Sequence, residues 1–404
     1  MEVRGHAHQP WEITVQRHHR LATGASLAAL VLSTALVAPS MASDPGHRTH
    51  HGHHHATDRL SLRAVTALDG PRGVDALGRG RTLVTESDGS FSLVLERHRR
   101  AALVVPLGQV TPGLAPAIAA DRSGNVYVLT GAGEPGTGAA TLYRWRRGYD
   151  EPVPVADIAA YQVTDPDPDD LEGLPAESNP FGLAVLPDGD VLVADAAGND
   201  LLKVDPDDGS ILTVARFRPR TVAVPAGLPP TGPDGSPLPP EGTLIPSEAV
   251  PTSVVVGADG AIYVGELRGF PATPGTAQVW RIEMASEGMV CDPDDPYSGE
   301  CTRARDGLTS VVDLAIGRGD QLYALSLSQL GWLAMELGVP GSEIGALTTW
   351  IRTPHGNVRT ELVPGQLVTP GGVDTSYGGV YVTGPVFGPG SLSTISPGRR
   401  HHHR

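Results

Sequence analysis

Three carboxylates in this chain recur at one position of a repeating pattern. Glu86 closes Arg81-Thr-Leu-Val-Thr-Glu86, Asp195 closes Asp190-Val-Leu-Val-Ala-Asp195, and Glu266 closes Ala261-Ile-Tyr-Val-Gly-Glu266. Thr130, Ser326 and Gly384 end the matching segments elsewhere. Carboxylate oxygens gathered on one rim are what a hard cation such as Ca²⁺ takes, in sets of about six to eight. Asn179, just before one apolar run, and Asp313, at the head of another, would add oxygens to Glu86, Asp195 and Glu266. The same residues suit a plainer role as exposed loop acids or formers of Asx turns. Asp75 and Asp374 stand at equal offsets in Gly73-Val-Asp-Ala76 and Gly372-Val-Asp-Thr375. Side by side in a channel, two such carboxyls would force one pKa up and could trade protons with a substrate. Alternatively, each would simply accept backbone N–H bonds.

No nucleophile elbow, phosphate-binding loop or HExxH stretch occurs. His98 and His355 are the histidines of the central region, and neither has a serine, cysteine or acid at a telling spacing. The acidic run Asp165-Pro-Asp-Pro-Asp-Asp170 fails as an EF-hand loop, because Asp170 stands where that loop turns on Gly and Ala176 where it needs Glu.

The elements that must position these groups repeat six times. The clearest unit is Asn179-Pro-Phe-Gly-Leu-Ala-Val-Leu-Pro-Asp-Gly-Asp-Val-Leu-Val-Ala-Asp195, an apolar strand, an Asp-Gly turn and a second strand. Gly supplies positive φ in such hairpin turns, and Asp accepts local backbone bonds. Third strands follow, as in Gln278-Val-Trp-Arg-Ile282, and fourth strands, as in Ile211-Leu-Thr-Val214. Six four-stranded units predict an all-β, six-bladed β-propeller. The sixth unit shows only three strands, and Leu60-Ser-Leu-Arg-Ala-Val-Thr-Ala67 is an orphan ahead of the first. The orphan is therefore expected to complete the last blade and close the ring, which hides both open edges. In a propeller the ends of the second strands share one face, which puts Glu86, Asp195 and Glu266 on the channel mouth.

The 404 residues divide into a leader over 1–42, a His-rich linker over 43–58, the propeller over 59–397 and a basic, His-bearing tail over 398–404. The leader reads as a signal peptide: basic Arg17-His-His-Arg20, apolar Leu21 to Val37, then small Ser40-Met-Ala42. An exported chain meets an oxidising compartment, so the two cysteines, Cys291 and Cys301, are expected to pair and staple a surface excursion. No integral span is expected beyond the leader. The net charge of −15 disfavours nucleic acid, since little offsets phosphate repulsion. Long insertions at 160–178, 219–249 and 327–340 are where function tends to sit on a rigid scaffold, and Leu330-Gly-Trp-Leu-Ala-Met-Glu-Leu337 reads as a short amphipathic helix.

Ser178-Asn-Pro-Phe-Gly-Leu-Ala-Val-Leu-Pro-Asp-Gly189, Val250-Pro-Thr-Ser-Val-Val-Val-Gly257 and Tyr263-Val-Gly-Glu-Leu-Arg-Gly-Phe-Pro271 resemble the ScyD/ScyE family, over residues 60–396. The resemblance implies an exported six-bladed propeller and names a fold better than an activity. Two function classes stand at this point. One is a secreted or surface-bound, non-catalytic scaffold for a protein or small-molecule ligand. The other is a Ca²⁺-dependent, lactonase- or esterase-like hydrolase working at the channel mouth. A quinone-dependent sugar dehydrogenase would want a histidine base in the channel, which His98 and His355 fit poorly.

Overall fold

Each repeat unit closes into one antiparallel sheet, and six such sheets stand around an axis in a computed structural model that describes residues 60–397, apart from 233–234, 285–286 and 378. The leader, the His-rich linker and the tail lie outside the described residues. The inner strands run Val74–Gly78, Ala117–Ala120, Pro180–Val185, Pro251–Val256, Val311–Ile316 and Gly372–Ser376. Each pairs with a second strand through a tight turn, then a third and a fourth follow outward. The described residues hold two short helices, α1 (Ile158–Thr164) and α2 (Trp332–Glu336). No helix among them is long and apolar enough to cross a membrane.

The ring closes as the orphan strand requires. Leu60–Asp69 pairs antiparallel with Pro389–Pro397 and becomes the outermost strand of the sixth blade, whose other strands come from the far end of the described chain.

Blades pack face to face, and alternation along each strand serves two seams at once. In Val191–Asp195, Leu192 and Ala194 join the cluster shared with blade four, whereas Val191 and Val193 join that shared with blade two. Every seam has such a cluster, and the one between the last and first blades holds Leu68 and Leu392 against Val74, Val84 and Val94. Near the axis, backbones approach too closely for side chains. A Cβ on Gly182 would lie 2.6 Å from the Thr252 carbonyl oxygen, and one on Gly372 would lie 2.1 Å from that of Arg72. Threonine hydroxyls staple the same level: Thr85 donates to the Pro116 carbonyl at 2.7 Å, and Thr252 to that of Val311 at 2.6 Å.

The cysteines do pair, and the bridge does more than staple an excursion. Met289–Cys291 lies parallel to Ile211–Phe217 as a fifth strand of blade three, while Cys301 opens Cys301–Leu308, the outer strand of blade four. The disulfide therefore joins two blades.

Candidate functional site: the channel and its two mouths

The inner strands all begin at one face, called here the insertion face because the long loops leave from it, and end at the turn face. Along four of the six, exposure rises from beginning to end. In Pro180–Val185 and Pro251–Val256 the first four residues are buried and the last two half-buried, and in Ala117–Ala120 the first two are buried and the last two half-buried. The channel is thus closed at the insertion face and open at the turn face.

The closure is a guanidinium. Arg72, 6% exposed, sits in the turn before the first inner strand. It donates to the Ala115 carbonyl at 2.9 Å and to the Phe181 carbonyl, and lies 3.7 Å from the centroid of the Phe181 ring. Carbonyl acceptors and an aromatic face compensate a buried cation in part. Burial still pulls its pKa down to about 10, against an opposing attraction to Asp313.

Below Arg72 lies a cavity of about 290 Å³, lined by small and β-branched side chains and by Asp75, Asp313 and Asp374. Each of these acids reaches to a neighbouring blade. The Ala120 N–H donates to Asp75 at 2.6 Å, the Ala76 N–H to Asp374 at 2.6 Å, and the Val373 N–H to Asp313 at 2.7 Å. The backbone bonds foreseen for Asp75 and Asp374 are therefore made, and the two carboxyls also act on each other's charge. Burial raises Asp75 to about 6 and Asp313 to about 7. Asp374 is pushed well above the ordinary range by burial, then by the like charge of Asp75.

The rim acids are placed differently from a shared cation site. Glu86 accepts the Asp69 N–H at 2.7 Å. Asp195 is fully buried and accepts the Ser178 hydroxyl at 2.6 Å, the Asn179 N–H at 2.7 Å, the Ala197 and Gly198 N–H groups, and Gln162 of α1. Glu266, also fully buried, pairs with the buried Arg268 and accepts Trp280 Nε1 at 2.5 Å and Gln278 Nε2 at 3.2 Å. The Asn179 side chain accepts the Ala132 N–H at 3.0 Å, and Asp313 faces the channel rather than the rim. Glu86, Asp195 and Glu266 thus serve three separate blades. Among the described residues, no three carboxylate, histidine or cysteine side chains stand close enough to share a metal ion. This donor set does not fit a calcium ion without displacing Arg268 and the backbone donors.

Sequence reasoning passed over Arg72, Phe181, Arg268 and Gln162. The available signal was an arginine in the turn before an inner strand, Gly70-Pro-Arg-Gly73, and another two residues beyond a strand-end carboxylate, Glu266-Leu-Arg268.

No protein-family model matches the chain, and no curated protein matches it in sequence. Solved structures do match it in shape. A glucose dehydrogenase superposes with a TM-score of 0.51 at 13% identity, covering 84% of this chain and 100% of its own. The PQQ-bound aldose sugar dehydrogenase of Streptomyces coelicolor gives 0.50 at 13% identity, with 84% and 99% covered. Virginiamycin B lyase from Staphylococcus aureus gives 0.44 at 17% identity, with 83% and 99% covered. At such identities the likeness concerns the fold, and the class is the six-bladed β-propeller.

Proposed function

We propose that this chain is an exported, ScyD/ScyE-like propeller that acts as a non-catalytic scaffold and holds its ligand on the insertion face. One observation carries the reading: the channel mouth at the insertion face is filled by Arg72 on Phe181. Around it, Asp195 and Glu266 are engaged by donors of their own blades. The loops above the filled mouth are the longest in the molecule, which is where recognition on a rigid frame concentrates. Export accords with the Cys291–Cys301 bridge and with the signal-like leader.

The test is a thermal melt of residues 43–397 with EDTA and then with Ca²⁺, beside elemental analysis and a turnover screen of lactones and esters. A scaffold shows no bound ion, no shift and no turnover. One calcium per chain, a melt several degrees lower in EDTA, and turnover lost in Glu86→Gln would overturn it.

Hydrolysis is the second reading, and the observation in its favour is the Asp75–Asp374 pair in a cavity of small-molecule size. It predicts turnover that is lost in Asp75→Asn while the fold is kept.

A further inference from the structure

The filled mouth is roofed by side chains from several blades. Trp332, Leu367 and Val386 are buried in one apolar cluster with Phe181, and Leu114, Leu228 and Phe270 pack against it half-exposed. Trp332 Nε1 donates to the Arg268 carbonyl at 2.8 Å, which pins α2 to the neighbouring blade. Leu330, Val368 and Phe387 each stand within two residues of a buried member, yet they are 44%, 42% and 48% exposed. Single exposed apolar residues are ordinary, but several grouped around one apolar cluster mark an interaction surface.

One flank of this disc is strongly acidic. Residues 158–179 contain Asp165, Asp167, Asp169, Asp170, Glu172 and Glu177 and no Lys or Arg. Leu171 and Leu174 lie among these acids, 46% and 45% exposed. The acids are close in space as well as in sequence. Burial raises Glu177, and the charges of Asp195, Asp170 and Glu134 add to the rise. Burial likewise raises Glu248 to about 7, with Glu172 and Asp167 contributing. Two arginines border this flank and offset part of its charge: Arg216 pairs with Asp165 at 2.6 Å, and Arg218 with Asp169 and Asp292.

We infer that the insertion face docks a basic amphipathic polypeptide, with its apolar stripe on the disc and its cationic side chains on the acidic flank. An apolar surface alone could take many occupants, and the charge beside it selects among them. The flank repels an anionic lipid surface and attracts Lys and Arg. Such a pair of surfaces draws affinity from the apolar anchors and encounter rate from the charges. This inference names the ligand class of the scaffold reading and rests on it.

Two synthetic helix-forming peptides of equal length, one of Leu and Lys and one of Leu and Glu, provide the test by fluorescence anisotropy. The Leu/Lys peptide should bind and the Leu/Glu peptide should not. Affinity should fall about tenfold between roughly 0.05 M and 0.5 M salt. Phe387→Asp and Leu330→Asp on the disc, and Glu134→Lys with Glu177→Lys on the flank, should each weaken binding about tenfold. Tyr377→Ala on the turn face should leave it unchanged. Leu/Lys binding that ignores the disc variants would reduce the effect to the attraction of a net-negative chain and overturn the inference. Disc-dependent binding to neutral phosphatidylcholine vesicles without peptide binding would overturn it in favour of lipid. The scaffold reading fails separately, through lactone or ester turnover in the same preparations, whatever the peptides do.

Discussion

Asp374 accepts the Ala76 N–H at 2.6 Å, so a carboxyl of the last blade is tied to the backbone beside Asp75 in the first. The two acids come from opposite ends of the described chain and meet at the seam where the ring closes. Burial and their like charges favour a proton on at least one of them, which couples closure to acidity.

That coupling predicts a pH dependence with a definite sign. A carboxyl whose pKa is raised by folding stabilises the fold below its unfolded pKa, near 4, and that contribution disappears as pH rises through the folded value. Asp75 is raised to about 6 and Asp313 to about 7. Stability should therefore fall between about pH 4 and pH 7, by up to about 3–4 kcal/mol from each of these two acids. Asp75→Asn should flatten the profile and raise the melting temperature at pH 8. A profile that rises from pH 5 to pH 8 would contradict this.

Glu266→Gln should be strongly destabilising for a reason unconnected with metal. It leaves the Arg268 guanidinium, 1% exposed, without its counter-charge. Removing one partner of a buried pair typically costs about 3–5 kcal/mol. Urea denaturation of Glu266→Gln, and of a double variant with Arg268→Met, measures this. The double variant should recover much of the loss, whereas a metal-ligand role for Glu266 predicts no recovery.

Reducing the Cys291–Cys301 bridge should loosen two blades at once. By loop entropy a ten-residue separation is worth roughly 3 kcal/mol or less. Hydrogen exchange should speed up at Ala215–Phe217, which pair with Met289–Cys291, and in Cys301–Leu308, but not in the blade five strands Leu322–Ser326 and Ala346–Thr353. Uniform acceleration would show that the bridge acts on the whole ring.

Removing residues 59–68 should abolish the cooperative melt. Leu68 leaves the closing seam, and Pro389–Pro397 becomes an unpaired edge. A peptide of those residues added in trans should restore the transition. An unchanged melt of the shortened chain would mean that closure is not what holds the ring.

Most of the fold was legible because its determinants are local. Pro187-Asp-Gly189 and Ala258-Asp-Gly260 fix hairpins by turn chemistry, and two-faced apolar strands such as Val191–Asp195 announce burial on both sides. The helix read at Leu330–Leu337 appears as Trp332–Glu336. Helix α1 was not legible. Its seven residues show no clear period, and it is held by the Asp157 cap on the Ala160 N–H and by Gln162 bonding Asp195 and Asp200. The three-residue strand Met289–Cys291 is too short to announce itself. The site was less legible than the fold. The repeats gave Glu86, Asp195 and Glu266 equivalent positions, but not what lies between them. That depends on Arg72, which reaches Phe181 from 109 positions away in the chain, and on Arg268 turning inward.

The closing strand has one more effect. Leu60 stands opposite Pro397, and Asp69 opposite Pro389. Leu60 and Pro397 therefore lie at the turn face, on the side opposite the apolar roof. A surface bound through those two strand ends would meet the open channel, while the apolar roof of Trp332, Val386 and their neighbours would face away from it, as a landing platform does.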